Sequence, residues 1–92
     1  MAEPRGLLSG TTELAATNTA QQLTTESLVT VSLLVTALKA NAENVKIGPS
    51  TVGATSYALE PAESVQFDFI DPSRVYLYGK EKDNVKYIGL IP

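Results

Sequence analysis

The sequence predicts an all-β fold, a small antiparallel β-sandwich of jelly-roll-like type with an extended N-terminal arm. Three observations predict it. Apolar residues recur at every second position from Leu28 onward, turn residues divide the chain after Asn41 into short segments, and residues 1–27 hold few large apolar groups. Its 92 residues make one domain, since a second core could not be built from the remainder. Chains of this size bury about 60–70% of the surface exposed by the unfolded form, so a subunit partner is an expected further source of stability.

Residues 1–19 are expected as the arm and residues 20–92 as the sandwich. Pro4, Gly6 and Gly10 prevent a long regular element at the start. Leu7 and Leu8 read equally as anchors on a partner or as incidental leucines of a frayed terminus. Over residues 11–24 the alternatives are a weak helix and short strand pieces with a turn at Asn18. Frequent threonines, stiff at χ1, favour the strands, and Leu14 and Leu23 supply too little apolar surface for a helical face.

From Leu28 the pattern is clearest: Val29, Val31, Leu33, Val35 and Ala37 alternate with Thr30, Ser32, Leu34 and Thr36, the period of a half-buried strand. A helix over residues 26–39 competes but is disfavoured by the valines and threonines. Leu28, Leu34 and Leu38 fall on the nominally polar face, which implies that another subunit or the arm covers part of it.

Strands are then expected within Asn44–Gly48, Val52–Leu59, Ser64–Ile70, Arg74–Gly79 and Asn84–Ile91, at the spacing of a sandwich or small barrel. Pro49, Pro61 and Pro72 preset φ near −65° in the turns between them, and residues 80–84 read as a hairpin loop. Val65, Phe67 and Phe69 oppose Ser64, Gln66 and Asp68, and Val75 and Leu77 oppose Tyr76 and Tyr78, as in antiparallel sheets with one wet face.

Composition bears on function by exclusion. The chain has no Cys and no His, which removes disulfides, thiolate nucleophiles, imidazole bases and the usual zinc and copper ligands. No Ser-x-x-Lys or Gly-x-Ser-x-Gly spacing occurs, and the glycine-bearing stretch 48–53 lacks the Lys-Ser/Thr pair of a phosphate loop. Glu60, Glu63, Asp68 and Asp71 crowd one stretch, but turns and alternation place them apart, as solvated surface rather than a calcium site or an acid–base pair. No enzyme activity, cofactor or metal is therefore expected. A net charge of −3 argues against a phosphate-backbone binder, although Tyr76, Tyr78 and Tyr87 interleave with Arg74, Lys80, Lys82 and Lys86. The apolar-leaning stretch Leu28–Leu38 is far shorter than the ~20 residues of a membrane span, and no basic leader precedes a long apolar run, so neither a membrane partner nor a secretory signal is expected.

The segments 35–41 (VTALKAN), 44–48 (NVKIG), 59–65 (LEPAESV), 71–76 (DPSRVY) and 85–88 (VKYI), taken in this order and spacing, resemble the small β-sandwich domains of bacteriophage virion proteins, including capsid decoration (cement) proteins. The resemblance covers over half the chain. It departs at Ala62, where such domains commonly carry glycine; alanine disfavours a type II turn, and a type I turn is expected. The resemblance implies a structural protein on the capsid exterior, assembled in the bacterial host cytoplasm, bound to the major capsid protein and clustered as a homo-oligomer, a trimer being favoured. A tail or fibre component and a carbohydrate-binding β-module, with tyrosines as stacking surfaces, are the alternatives. The residues expected to meet a partner are Arg5, Leu7 and Leu8 on the arm and Leu28, Leu34, Leu38, Tyr76 and Tyr78 on outer faces.

Overall fold

Alternating apolar and polar side chains need a pleated backbone with one dry face, and the described residues meet that need with eight strands. A computed structural model describes residues 6–92. The strands are β1 (Gly6–Glu13), β2 (Gln21–Gln22), β3 (Thr30–Ala37), β4 (Val45–Gly48), β5 (Ala58–Leu59), β6 (Ser64–Ile70), β7 (Tyr76–Tyr78) and β8 (Asn84–Ile91), with one 3-10 turn at Pro72–Arg74. They form two four-stranded antiparallel sheets, in the orders β1-β8-β3-β6 and β2-β7-β4-β5. Strand 1 thus pairs with 8, 2 with 7, 3 with 6 and 4 with 5, the rolled-up arrangement of a jelly roll.

The core lies between the sheets. Leu8, Leu33, Val35, Ala37, Val85 and Tyr87 face inward from the first sheet, and Val45, Ile47, Leu59 and Leu77 from the second, with Leu14, Leu23 and Val75 completing the cluster. No buried side-chain nitrogen or oxygen of the described residues lacks a hydrogen-bond partner. The Asp83 carboxylate, buried, accepts from the Ala42 and Glu43 N–H groups at 2.9 and 3.1 Å. Asn41 exchanges two side-chain hydrogen bonds with the Asn84 backbone, both 2.8 Å. These contacts tie the loop after β3 to the start of β8.

Five expectations change. Residues 6–13, expected in the arm, are built into the first sheet as its edge strand, and the turn at Asn18 (φ 54°) leads to β2. The 80–84 loop is no hairpin, because β7 and β8 lie in different sheets. Its turn, closed by Asp83 N–H to Lys80 O with Lys82 at φ 74°, crosses the sandwich and pairs with Leu14 on the way. Of residues 52–59 only Ala58 and Leu59 are strand; turns closed by Val52 N–H to Pro49 O and Ser56 N–H to Gly53 O take the rest.

The fourth concerns β3. Its alternation holds over Leu33, Val35 and Ala37 but reverses before them, where Thr30 is buried and Val29 is exposed. The cause is on the paired strand: Phe69 has φ 51°, which turns its ring to solvent (75% exposed) and brings Ile70 inward. Thr30 sits opposite Ile70 and follows it, its hydroxyl donating to Ile70 O at 2.8 Å. The fifth is Ala62. The turn closed by Glu63 N–H to Glu60 O holds Ala62 at φ 73°, the third position of a type II turn after Pro61, so the expected type I turn does not form. Two backbone bonds to Ala37, from Ala62 N–H and to Glu63 O, hold this turn against the sheet and so over-determine the unfavourable φ.

Candidate partner-binding surface

In the first sheet the strand pleat sends Leu8, Leu33, Val85 and Tyr87 inward, so their neighbours Leu7, Leu34, Ile88 and Leu90 must face out. The register brings these four together. Leu7 lies opposite Leu90 and Leu34 opposite Ile88, while Ile88 and Leu90 are two residues apart on the same face of β8. Directly opposed side chains in an antiparallel pair have Cβ atoms about 4.5–5.5 Å apart, so the four make one continuous apolar patch. They are 63% (Leu7), 45% (Ile88), 39% (Leu90) and 38% (Leu34) exposed, so among the described residues each keeps apolar surface open to a partner.

Polar residues frame the patch. Ser9 and Ser32 sit opposite Ile88 and Leu90, and Gln66 and Asp68 on β6 extend the same rows. Thr11, Lys86, Thr36 and Ser64 form the next row. A shallow depression of about 400 Å³ opens here, lined by Leu34, Ile88, Lys86 and the Gly10–Tyr87 pair among others. An apolar centre with a polar margin is the anatomy of a protein-binding face.

The structure divides the residues expected to meet a partner. Leu7 and Leu34 belong to the patch. Leu8 is in the core and unavailable to a partner, because adjacent residues of a strand face opposite ways. Leu28 and Leu38 are half-buried at the two ends of β3, outside the patch. Tyr76 and Tyr78 flank the buried Leu77 and are half-buried on the outer face of the second sheet, away from the patch. Arg5 lies outside the described residues. The sequence presents Ile88 and Leu90 only within the terminal stretch 87–92, which reads as an edge strand ready to pair with another chain; β8 instead lies between β1 and β3, and its apolar residues at both parities suit a strand with two covered faces.

No family model, curated protein or solved structure matches the chain.

Other chemistry is dispersed. Glu60 and Glu63 belong to one turn, Asp68 to the outer face of β6, and Asp71 caps the 3-10 turn. Among the described residues no group of three or more acids could hold a metal ion, and no helix is long and apolar enough to cross a membrane. Tyr87 is packed in the core, so it cannot share a stacking surface with Tyr76 and Tyr78. A larger, polar hollow of about 580 Å³ lies near Gln22, Ser27, Asp71 and Arg74. Its carboxylate is already engaged: hydrogen bonds from the Ser73 hydroxyl and N–H hold the Asp71 carboxyl below the usual aspartate range, against partial desolvation and with help from the Ser27 hydroxyl and the Arg74 charge.

Proposed function

We propose that this chain is a non-catalytic structural protein that attaches to other proteins by the outer face of its first sheet, and that it decorates the exterior of a bacteriophage capsid. The observation that carries the attachment is the patch of Leu7, Leu34, Ile88 and Leu90, an exposed apolar cluster on a rigid sheet. The capsid as its target rests on the resemblance of segments 35–41, 44–48, 59–65, 71–76 and 85–88 to phage virion domains. The double-sheet roll suits such a role, being an architecture used in viral shells, although fold alone does not assign function.

Magnitudes define how it would hold. Fully burying a Leu or Ile side chain contributes about 1.5–3 kcal/mol, so covering the exposed fraction of each patch side chain contributes about 1 kcal/mol. The sum of about 4 kcal/mol only reaches the low end of the ~4–15 kcal/mol that immobilising one molecule costs. Attachment by a single copy is then weak, and a lattice of linked copies holds by avidity.

The test is co-sedimentation of the full chain with empty heads assembled from the major capsid protein encoded nearest to its gene. The wild-type chain sediments saturably with the heads, and Leu34→Asp with Ile88→Asp abolishes this while leaving the circular dichroism spectrum unchanged. No sedimentation of the wild type, or sedimentation indifferent to both substitutions, overturns the proposal.

A further inference from the structure

Two β-sheets have four edges, and an edge with unpaired N–H and C=O groups is a template for another strand unless something blunts it. Three of the four edges here are blunted. β2 and β5 are two residues each, too short to template a strand. β6 carries Asp68 and is bent out of line at Phe69, with φ 51°. β1 has none of these protections: from Gly6 to Thr12 it contains no proline, no charge and no positive φ.

Its free groups can be identified. Leu14 N–H donates to Asp83 O on the β8 side, whereas Glu13 O accepts from the Gln21 side chain on the other side. Successive residues of an antiparallel strand alternate in this way, so Leu7, Ser9 and Thr11 turn their N–H and C=O groups away from β8. No strand of the described residues lies on that side.

We infer that β1 pairs with β1 of a second copy, antiparallel and centred on Ser9, to make one continuous eight-stranded sheet. In this register Ser9 meets Ser9 and Leu7 meets Thr11 across a two-fold axis, so every outward group of the three residues finds its complement. Charge selects the same partner. The net charge of −3 repels copies elsewhere, but the paired window from Gly6 to Thr12 is uncharged, so two copies can meet there without like-charge repulsion. The two apolar patches then lie on one face of one sheet. This deepens the attachment reading by making it bivalent, but the pairing itself does not depend on what the patch binds. It also replaces a threefold cluster by a closed two-fold one.

The test is the solution mass of the full chain by sedimentation equilibrium, with Ser9→Pro and Thr11→Lys as variants. Proline at Ser9 removes an N–H that β8 does not use, so the fold is kept and the incoming strand is refused. Twice the 9.8 kDa chain mass is expected for the wild type, and the single chain mass for both variants, with unchanged circular dichroism. A wild type that is monomeric or trimeric, or a dimer that survives either folded variant, overturns the inference. Should Ser9→Pro unfold, Thr11→Lys alone decides. Head co-sedimentation run beside it separates the two proposals: Leu34→Asp with Ile88→Asp abolishes attachment and leaves the dimer intact.

Discussion

The ring of Tyr87 lies across Gly10 on the neighbouring strand, so closely that a Cβ added to Gly10 would sit 2.6 Å from the phenol oxygen and 2.9 Å from Cζ. A glycine in a strand weakens it, and here the aromatic side chain of the paired residue fills the space left open. The pair joins the edge strand to the core, since Tyr87 belongs to the inward face of β8.

Gly10→Ala should therefore destabilise the protein by about 1–3 kcal/mol, the usual range for overpacking. Tyr87→Phe removes the nearest atom, so the double variant should recover part of that loss. Urea denaturation of the four proteins in a double-mutant cycle measures it, and strict additivity would show that the two side chains do not meet.

Ala62→Gly should stabilise the fold. Alanine in the left-handed region costs about 1–2 kcal/mol, and the entropy glycine adds to the unfolded chain returns about 0.5–1 kcal/mol of it. A net gain of about 0.5–1 kcal/mol corresponds to a rise of several degrees in Tm for a domain of this size. An unchanged or lower Tm would contradict the strained turn at φ 73°.

Asp83→Ala should cost about 2–3 kcal/mol, because it leaves the Ala42 and Glu43 N–H groups without their charged acceptor. Amide exchange at residues 42 and 43 should accelerate more than at core positions such as Val35. Uniform acceleration would mean that the carboxylate does not hold the loop.

Asp71 should make stability fall in acid. Its carboxyl is held below the ordinary range by the Ser73 hydroxyl and N–H. The stabilisation is thus full above the ordinary aspartate value near pH 4 and is lost as pH falls through the lower folded-state value. Thermal melts from pH 6 to pH 2 should show the wild type losing Tm more steeply than Asp71→Asn at the acid end. Parallel curves would remove Ser73 and Ser27 as partners of the charged form.

Much of this fold was legible because its strands alternate plainly. Ser64–Ile70 and Asn84–Ile91 have the bounds that their side-chain pattern predicts, and Pro61 and Pro72 mark real turns. β1 was not legible, because its inward row is Leu8, Gly10 and Thr12, and the missing apolar bulk comes from Tyr87, 77 residues further along the chain. Nor was the reversal at Thr30, which depends on the backbone of Phe69 on another strand. Residues 80–84 have hairpin length and turn chemistry, and only tertiary pairing with Leu14 sends the chain across to the other sheet. Half of the surface was readable: Leu34 stands out as an apolar residue on a polar face. Leu7 and Leu8 are indistinguishable until the register of β1 is known.

On the proposed reading the outer face of the first sheet, and not that of the second, is the working surface. Hydroxyl-radical footprinting of the full chain, free and bound to empty heads, tests it side chain by side chain. Leu7, Leu34, Ile88 and Leu90 should lose reactivity on binding while Tyr76 and Tyr78 keep theirs. Protection of the two tyrosines with the four aliphatic residues still reactive would place the attachment on the second sheet instead.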